Sequence, residues 1–176
     1  MAELTIRRLS ADDERPYFDC GDTDLNEFFA KDSIENTREL MSVTYVVEDN
    51  DMLLAFFSLS NDAIKKTDVV DKPILKKLLK AIPQRKRYST FPAAKICRLA
   101  TNAVCQGNGT GSDILDYLKY WFTNGNKTGC RFIIVDAYNN PKTINFYQKN
   151  GFNFLLKSDE NEHTRLMFFD LASIRE

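Results

Sequence analysis

The sequence predicts a mixed α/β (α+β) fold, a single domain over residues 1–176 with one central sheet of about six to seven strands and helices on both faces. Three observations carry that expectation. Strand-like and helix-like runs follow one another as β, α, a hairpin, a basic helical insertion at about 62–90, and then β-α-β-α-β-β. The run "CRFIIVDA" is continuously apolar, as in a strand buried on both faces. Apolar residues make up 43% and charged residues 28% of 176 positions, enough for one core, and no repeat, low-complexity tract or linker interrupts the chain.

Each element has its own signals. "ELTIRRL" alternates apolar and polar residues and reads as a first strand. "GDTDLNEFFAKDSIENTREL" reads as one helix, with Asp24 as N-cap, Glu27 completing a capping box, and Leu25, Phe28 and Phe29 at helical spacing. Two β-rich runs in "VTYVVEDNDMLLAFFSLS" join at Asp49-Asn50-Asp51 as a hairpin. In "DKPILKKLLKAI", Asp71 is placed to cap a helix with Pro73 in its first turn. Its apolar face is Ile74, Leu75, Leu78, Leu79 and Ile82; Lys72, Lys76 and Lys80 form a stripe with Lys77 beside it, and "QRKRY" follows. "AAKICRLAT" reads as a central strand, Ile114 to Phe122 as a helix ended by "NGN". "NNPKTINFYQKNGF" is a helix with Asn140 as cap, Pro141 in the first turn and Asn150-Gly151 as stop, before a closing antiparallel pair, "FNFLL" and "TRLMFFDL".

Composition removes several chemistries. Cys20, Cys97, Cys105 and Cys130 show no C-x-x-C spacing and His163 is the sole histidine, which argues against a Cys/His metal site, a Cys–His nucleophile pair and a Ser-His-Asp triad. The thiols read as buried and free, in a reducing cytoplasm. The N-terminal stretch lacks the apolar core of a signal peptide and no apolar run is long enough to span a bilayer, so a cytoplasmic protein without membrane association is expected. Net charge is −1, yet Lys65–Lys95 holds ten basic residues against two acidic ones, which points to an anionic partner.

The stretch "AVCQGNGTGSDIL" sets Gly107, Gly109 and Gly111 at alternate positions between a strand and a helix. Successive backbone N–H groups at such a helix start form an anion nest. No lysine follows Gly111, so the loop lacks the residue with which a P-loop reaches a terminal phosphate. The spacing is G-x-G-x-G, with Ser112 after it, and comes late in the chain, unlike a dinucleotide fingerprint.

With Gln106 three residues before Gly109, the loop resembles the acetyl-CoA pyrophosphate loop of the GNAT superfamily of N-acetyltransferases, Q/R-x-x-G-x-G/A after the fourth strand. "RLATNAVCQGNGTG" extends the likeness, departing at Thr101, Asn102 and Asn108, the last removing a customary positive charge near the phosphates. "NNPKTINFYQKNGF" resembles a second family signature, N-x-x-A/S-x-x-F-Y-x-x-x-G-F, with Thr143 as its departure. The resemblance implies acetyl-CoA as cosubstrate without a metal, and a cofactor site of Leu99, Ala100, Thr101, Gln106, Gly107, Asn108, Gly109, Thr110, Gly111, Asn140 and Phe146. It implies direct attack of a primary amine on the thioester, an oxyanion-type contact from the backbone of the 98–101 strand, and Tyr147 as general acid for the departing thiolate. The residues alone leave Tyr147 equally readable as packing and Asn140 as a cap.

No Asp or Glu stands out as a general base; Asp136, at the end of "FIIVDA", reads as a solvated strand terminus. At pH 7.4 an α-amine is about one-third neutral and a lysine about 0.1%, so the missing base favours an α-amine. "FDCGDTDLNEFFAKDS" resembles the opening of a GNAT subgroup that includes toxins of toxin–antitoxin pairs, matching at Phe18, Cys20, Gly21, Leu25 and Phe28 and departing at Phe29. That resemblance implies an aminoacyl-tRNA acceptor, an antitoxin partner, and a homodimer, as in many relatives. Lys76, Lys77, Lys80, Arg85, Lys86 and Arg87 would then meet RNA phosphates. Two other classes stand beside this one: a non-catalytic CoA-binding regulatory module, opposed by the intact Tyr147, and a pure RNA-binding domain, opposed by the lack of overall basic charge.

Overall fold

The computed structural model describes residues 4–50 and 52–174. Its strands are β1 (Leu4–Arg8), β2 (Val43–Asp49), β3 (Met52–Lys65), β4 (Thr90–Thr101), β5 (Phe132–Tyr138), β6 (Asn153–Phe154) and β7 (Thr164–Asp170), with helices α1 (Thr23–Glu27), α2 (Ser33–Arg38), α3 (Lys72–Lys80), α4 (Thr110–Thr123) and α5 (Pro141–Lys149). The seven strands form one sheet in the order β1-β2-β3-β4-β5-β7-β6. The fold is α+β, as the element order predicts. Among the described residues no helix is long and apolar enough to cross a membrane.

The chain folds as two compact units. One comprises the chain up to Ser60 together with Ile96–Leu118; the other comprises Asn61–Lys95 and the chain from Lys119 onward. In the first, β1 and β2 pair antiparallel from Leu4 opposite Asp49 to Arg8 opposite Tyr45, and β2 continues into β3 as a hairpin. Asn50 takes a left-handed conformation at the turn, φ 52°; Asp51, the third residue of the expected turn, lies outside the described residues. The core gathers Leu9, Phe18, Phe28, Phe29, Val46, Phe56 and Ala100. Phe56 is its hub, meeting Phe18, Phe28 and Phe29 with ring centroids 5.1, 6.2 and 4.7 Å away.

The first helix departs from its sequence reading in two ways. Its cap is Asp22, not Asp24: Asp22 is extended (φ −118°) and its carboxylate accepts from the N–H of Leu25, leaving Asp24 inside the first turn. The expected single helix is also split by a π-helical turn at Phe28–Asp32 between α1 and α2. Phe28 and Phe29 are both buried in that turn.

In the second unit β5 and β7 pair antiparallel from Phe132 opposite Asp170 to Tyr138 opposite Thr164, and β6 pairs with the far side of β7. Phe132 to Val135 are all buried, as the apolar run predicts. Here the core is formed by Ile64, Leu78, Ile82, Phe91, Ala93, Phe132, Ile134 and Leu155, so the apolar side of α3 is spent on packing. Asp71 caps α3 through the N–H of Ile74, as expected. Cys20 and Cys105 are buried free thiols, whereas Cys97 and Cys130 are half-buried.

Candidate functional site

Strand β4 leads into the site. Leu99 and Thr101 are half-buried and Ala100 is in the core, so the end of the strand is fixed by packing. Asn102 ends it: its N–H donates to the carbonyl of Leu54 and its amide to that of Leu53, while its side-chain oxygen caps the N–H of Val104. An aspartate there could not donate to Leu53, which accounts for one departure from the family pattern. A short 3₁₀ turn, Ala103–Cys105, follows.

Gly107 and Gly109 then adopt φ of 84° and 90°. These values lie in the left-handed region, where glycine has no steric penalty. A Cβ at either glycine would meet nothing within 4 Å, so the loop's backbone faces open space. Helix α4 starts at Thr110, and Ser112 and Asp113 donate their N–H groups to the carbonyl of Gly109. No hydrogen bond from the N–H of Gly109, Thr110 or Gly111 is present among the described residues. Unpaired N–H groups at the head of a 14-residue helix, beside two glycines that keep side chains away, fit a pyrophosphate. Asn108 is exposed at the apex of the loop.

Gln106 behaves differently from a cofactor contact. Its side-chain nitrogen donates to the carbonyls of Cys20 (2.7 Å) and Thr101 (3.2 Å), so its amide donors are directed into the protein.

The second unit carries the other expected residues. Asn140, extended at φ −131°, caps α5 by accepting the N–H of Thr143, and Pro141 opens the first turn. Tyr147 is 6% exposed, its ring edge-on to Phe146 at 5.0 Å and to Phe152 at 5.3 Å. Burial holds its phenol well above the ordinary tyrosine pKa, so it is protonated throughout the neutral range. Asp136 does not end its strand as the sequence suggested: β5 continues through Ala137 and Tyr138, and the exposed Asp136 carboxylate is paired with Lys95 at 2.6 Å. Lys76, Lys77, Lys80, Arg85, Lys86 and Arg87 are all exposed. Among the described residues no three His, Cys, Asp or Glu side chains cluster as a metal site.

Sequence reasoning did not find the segment that receives Gln106. The carbonyl of Asp19 accepts the N–H of Ala103, and that of Cys20 accepts Gln106. The one available signal was the "FDCGD" resemblance, which implied subgroup membership and no structural task.

The family model of the acetyltransferase (GNAT) domain matches residues 42–154. Among solved structures, AtaT complexed with acetyl-methionyl-tRNAfMet is 26% identical over 98% of both chains, with a TM-score of 0.77. AtaTR bound with AcCoA is 26% identical over 98% of this chain and 96% of that one, with a TM-score of 0.75. A tyrosine-to-phenylalanine mutant of KacT is 25% identical over 98% and 97%, with a TM-score of 0.76. AtaT is a toxin also solved with the C-terminus of its antitoxin AtaR; that structure, at 23% identity over 98% and 95% with a TM-score of 0.73, bears on the fold alone.

Proposed function

Since the chain belongs to the acetyltransferase (GNAT) domain family and is an acetyl-CoA-dependent N-acetyltransferase, we propose that its acceptor is the α-amine of an aminoacyl-tRNA. The observation that carries this acceptor is the exposed basic run of α3 and the 3₁₀ turn after it. Lys76, Lys77, Lys80 and Arg85–Arg87 are exposed while the apolar face of α3 is committed to the core. A strip of six cations suits a phosphate backbone far better than a small neutral amine. The likeness to AtaT, solved with an acetylated methionyl-tRNA, supports the same acceptor.

Bound acetyl-CoA supplies an activated acetyl carbonyl in thioester linkage. The N–H groups at Gly109–Gly111 hold the pyrophosphate, with the dipole of α4 behind them. The backbone of Leu99–Thr101 offers an N–H to the carbonyl oxygen as charge develops on it. Tyr147, neutral because it is buried, donates its phenolic proton to the departing sulfur; the proton that the acylated nitrogen sheds passes to water, and the phenol is reprotonated at the end of the turnover. No carboxylate base is needed for an α-amine, a good fraction of which is neutral at pH 7.4.

On this reading the enzyme blocks translation as a cytoplasmic toxin, and a cell that carries it needs a neutralising antitoxin; the free thiols suit that compartment. A homodimer belongs to the same proposal. The test is incubation of the purified protein with acetyl-CoA and charged tRNA, followed by mass spectrometry of the released aminoacyl-adenosine. N-acetylated product is expected. Acetylation of free amines or protein lysines with none on charged tRNA overturns the acceptor assignment.

A further inference from the structure

The phosphate loop is tied to a segment more than 80 residues before it. The carbonyls of Asp19 and Cys20 point at the 101–106 turn, where Ala103 donates to the first at 2.8 Å and the Gln106 amide donates to the second at 2.7 Å. The same Gln106 nitrogen returns to the carbonyl of Thr101 at 3.2 Å, so a single side chain joins the strand end, the loop base and the distant segment.

The distant segment is itself pinned. The Asn26 side-chain oxygen accepts the N–H of Cys20 at 2.9 Å and its thiol at 3.2 Å. The Asn26 amide donates to the carboxylate of Asp19 at 2.8 Å, and that same carboxylate oxygen accepts the N–H of Gly21, also at 2.8 Å. Gly21 takes φ 80°, a left-handed turn suited to glycine. The protonation states agree with the bonding. The Gly21 N–H first, then the Asn26 amide, hold the Asp19 carboxyl below its usual range, and burial pushes the Cys20 thiol up so that it remains a donor. Asn26 is anchored within α1, its own N–H on the carbonyl of the capping Asp22.

We propose that Asp19–Asp22, locked by Asn26 and joined through Gln106, is a brace that sets the loop for pyrophosphate, making Asn26 and Gln106 positioning residues for acetyl-CoA. The brace gives the "FDCGDTDLN" stretch a physical task. It also assigns the glutamine at the head of the loop to the protein rather than to the cofactor. The inference rests on the reading of Gly107–Gly111 as the acetyl-CoA site.

Isothermal titration with CoA, together with steady-state kinetics and thermal melts, tests it. Gln106→Met keeps the length and removes both donated bonds; Gln106→Glu adds a carboxylate facing two carbonyl oxygens. Each is expected to weaken CoA about tenfold or more, the scale of one or two lost hydrogen bonds. Because Gln106 is exposed, both variants should melt close to the parent. Asn26→Asp sets two carboxylates against each other and should raise the KM for acetyl-CoA about tenfold while kcat at saturation falls less than about threefold. Adding Asp19→Asn to Asn26→Asp restores a donor facing an acceptor, now with the amide at position 19 and the carboxylate at position 26, and it should recover most of the lost affinity. A parent protein that takes up no CoA overturns the cofactor reading of the loop. A parent that binds CoA, with Gln106→Met binding equally well or the swapped pair failing to rescue, overturns the brace alone.

Discussion

The ring of Tyr147 stands edge-on to that of Phe152, centroids 5.3 Å apart at 65°, and the chain between them turns at Gly151. The phenol is buried in this aromatic cluster, and that burial keeps it neutral. Tyr147→Phe removes only the hydroxyl, so packing and CoA affinity should persist while kcat falls about a hundredfold. The pH profile is a second check. An acid whose pKa is raised remains protonated to higher pH, so its alkaline limb moves up. No loss of activity from this group is expected below about pH 10, the ordinary tyrosine value. Unchanged turnover in the phenylalanine variant removes the acid role.

Gly109→Val should abolish CoA binding in calorimetry. The space beside Gly109 is open, so the substitution meets no protein atom; it fills the place of the ligand instead. Its φ of 90° adds strain of about 1–2 kcal/mol in any L-residue, visible as a small drop in melting temperature with the fold retained.

Gly151→Ala should be costly to the fold. The position combines φ 84° with a Cβ that would lie 3.0 Å from the Phe169 ring. The expected loss is about 1–3 kcal/mol, read from denaturant unfolding. A variant as stable as the parent would show that the Phe169 ring gives way freely.

Reversing the charge of Lys76, Lys77 and Lys80 together should weaken tRNA binding at least tenfold and flatten its salt dependence, with CoA affinity unchanged. The three side chains are exposed, so melting temperature should hardly move. Equal salt slopes for parent and variant would place the RNA elsewhere.

Asp71 supplies a pH signature for α3. The N–H of Ile74 first, then Lys157, hold its carboxyl below the usual range. A carboxyl with a lowered folded pKa contributes stability above its unfolded value, near 4, and loses it as pH falls through the folded one. Helix signal should therefore be lost below about pH 4, and Asp71→Asn should flatten that part of the curve. A parallel acid transition in both proteins would exclude Asp71 as its origin.

Short-range chemistry was legible in the sequence. Asp71 and Asn140 cap the helices they precede, Gly107, Gly109 and Gly151 take the left-handed turns, and Phe132–Val135 are buried. Where two local solutions compete, the chain alone does not choose. Asp22 and Asp24 can each cap a helix, and the extended backbone of Asp22 decides. The π-helical turn at Phe28–Asp32 is equally invisible, because its apolar spacing also fits an uninterrupted helix. The direction of Gln106 depends on Cys20, 86 residues earlier, and no local pattern encodes a partner at that distance. The motifs marked the glycine turn and the buried Tyr147, but not the hydrogen bonds that tie Gln106 and Ala103 to Cys20 and Asp19.

The sheet order β5-β7-β6 runs against the order of synthesis. A ribosome that has made β6 has already made the glycine loop and Tyr147, yet β5 still lacks its antiparallel neighbour β7, and β6 has nothing to pair with until Thr164–Asp170 emerge. Ile133 and Val135, fully interior in the finished sheet, wait on that late strand for their neighbours Phe169 and Met167. An acetyltransferase built in this order closes its sheet only when the strand Thr164–Asp170 has emerged, after the glycine loop and Tyr147 are already made.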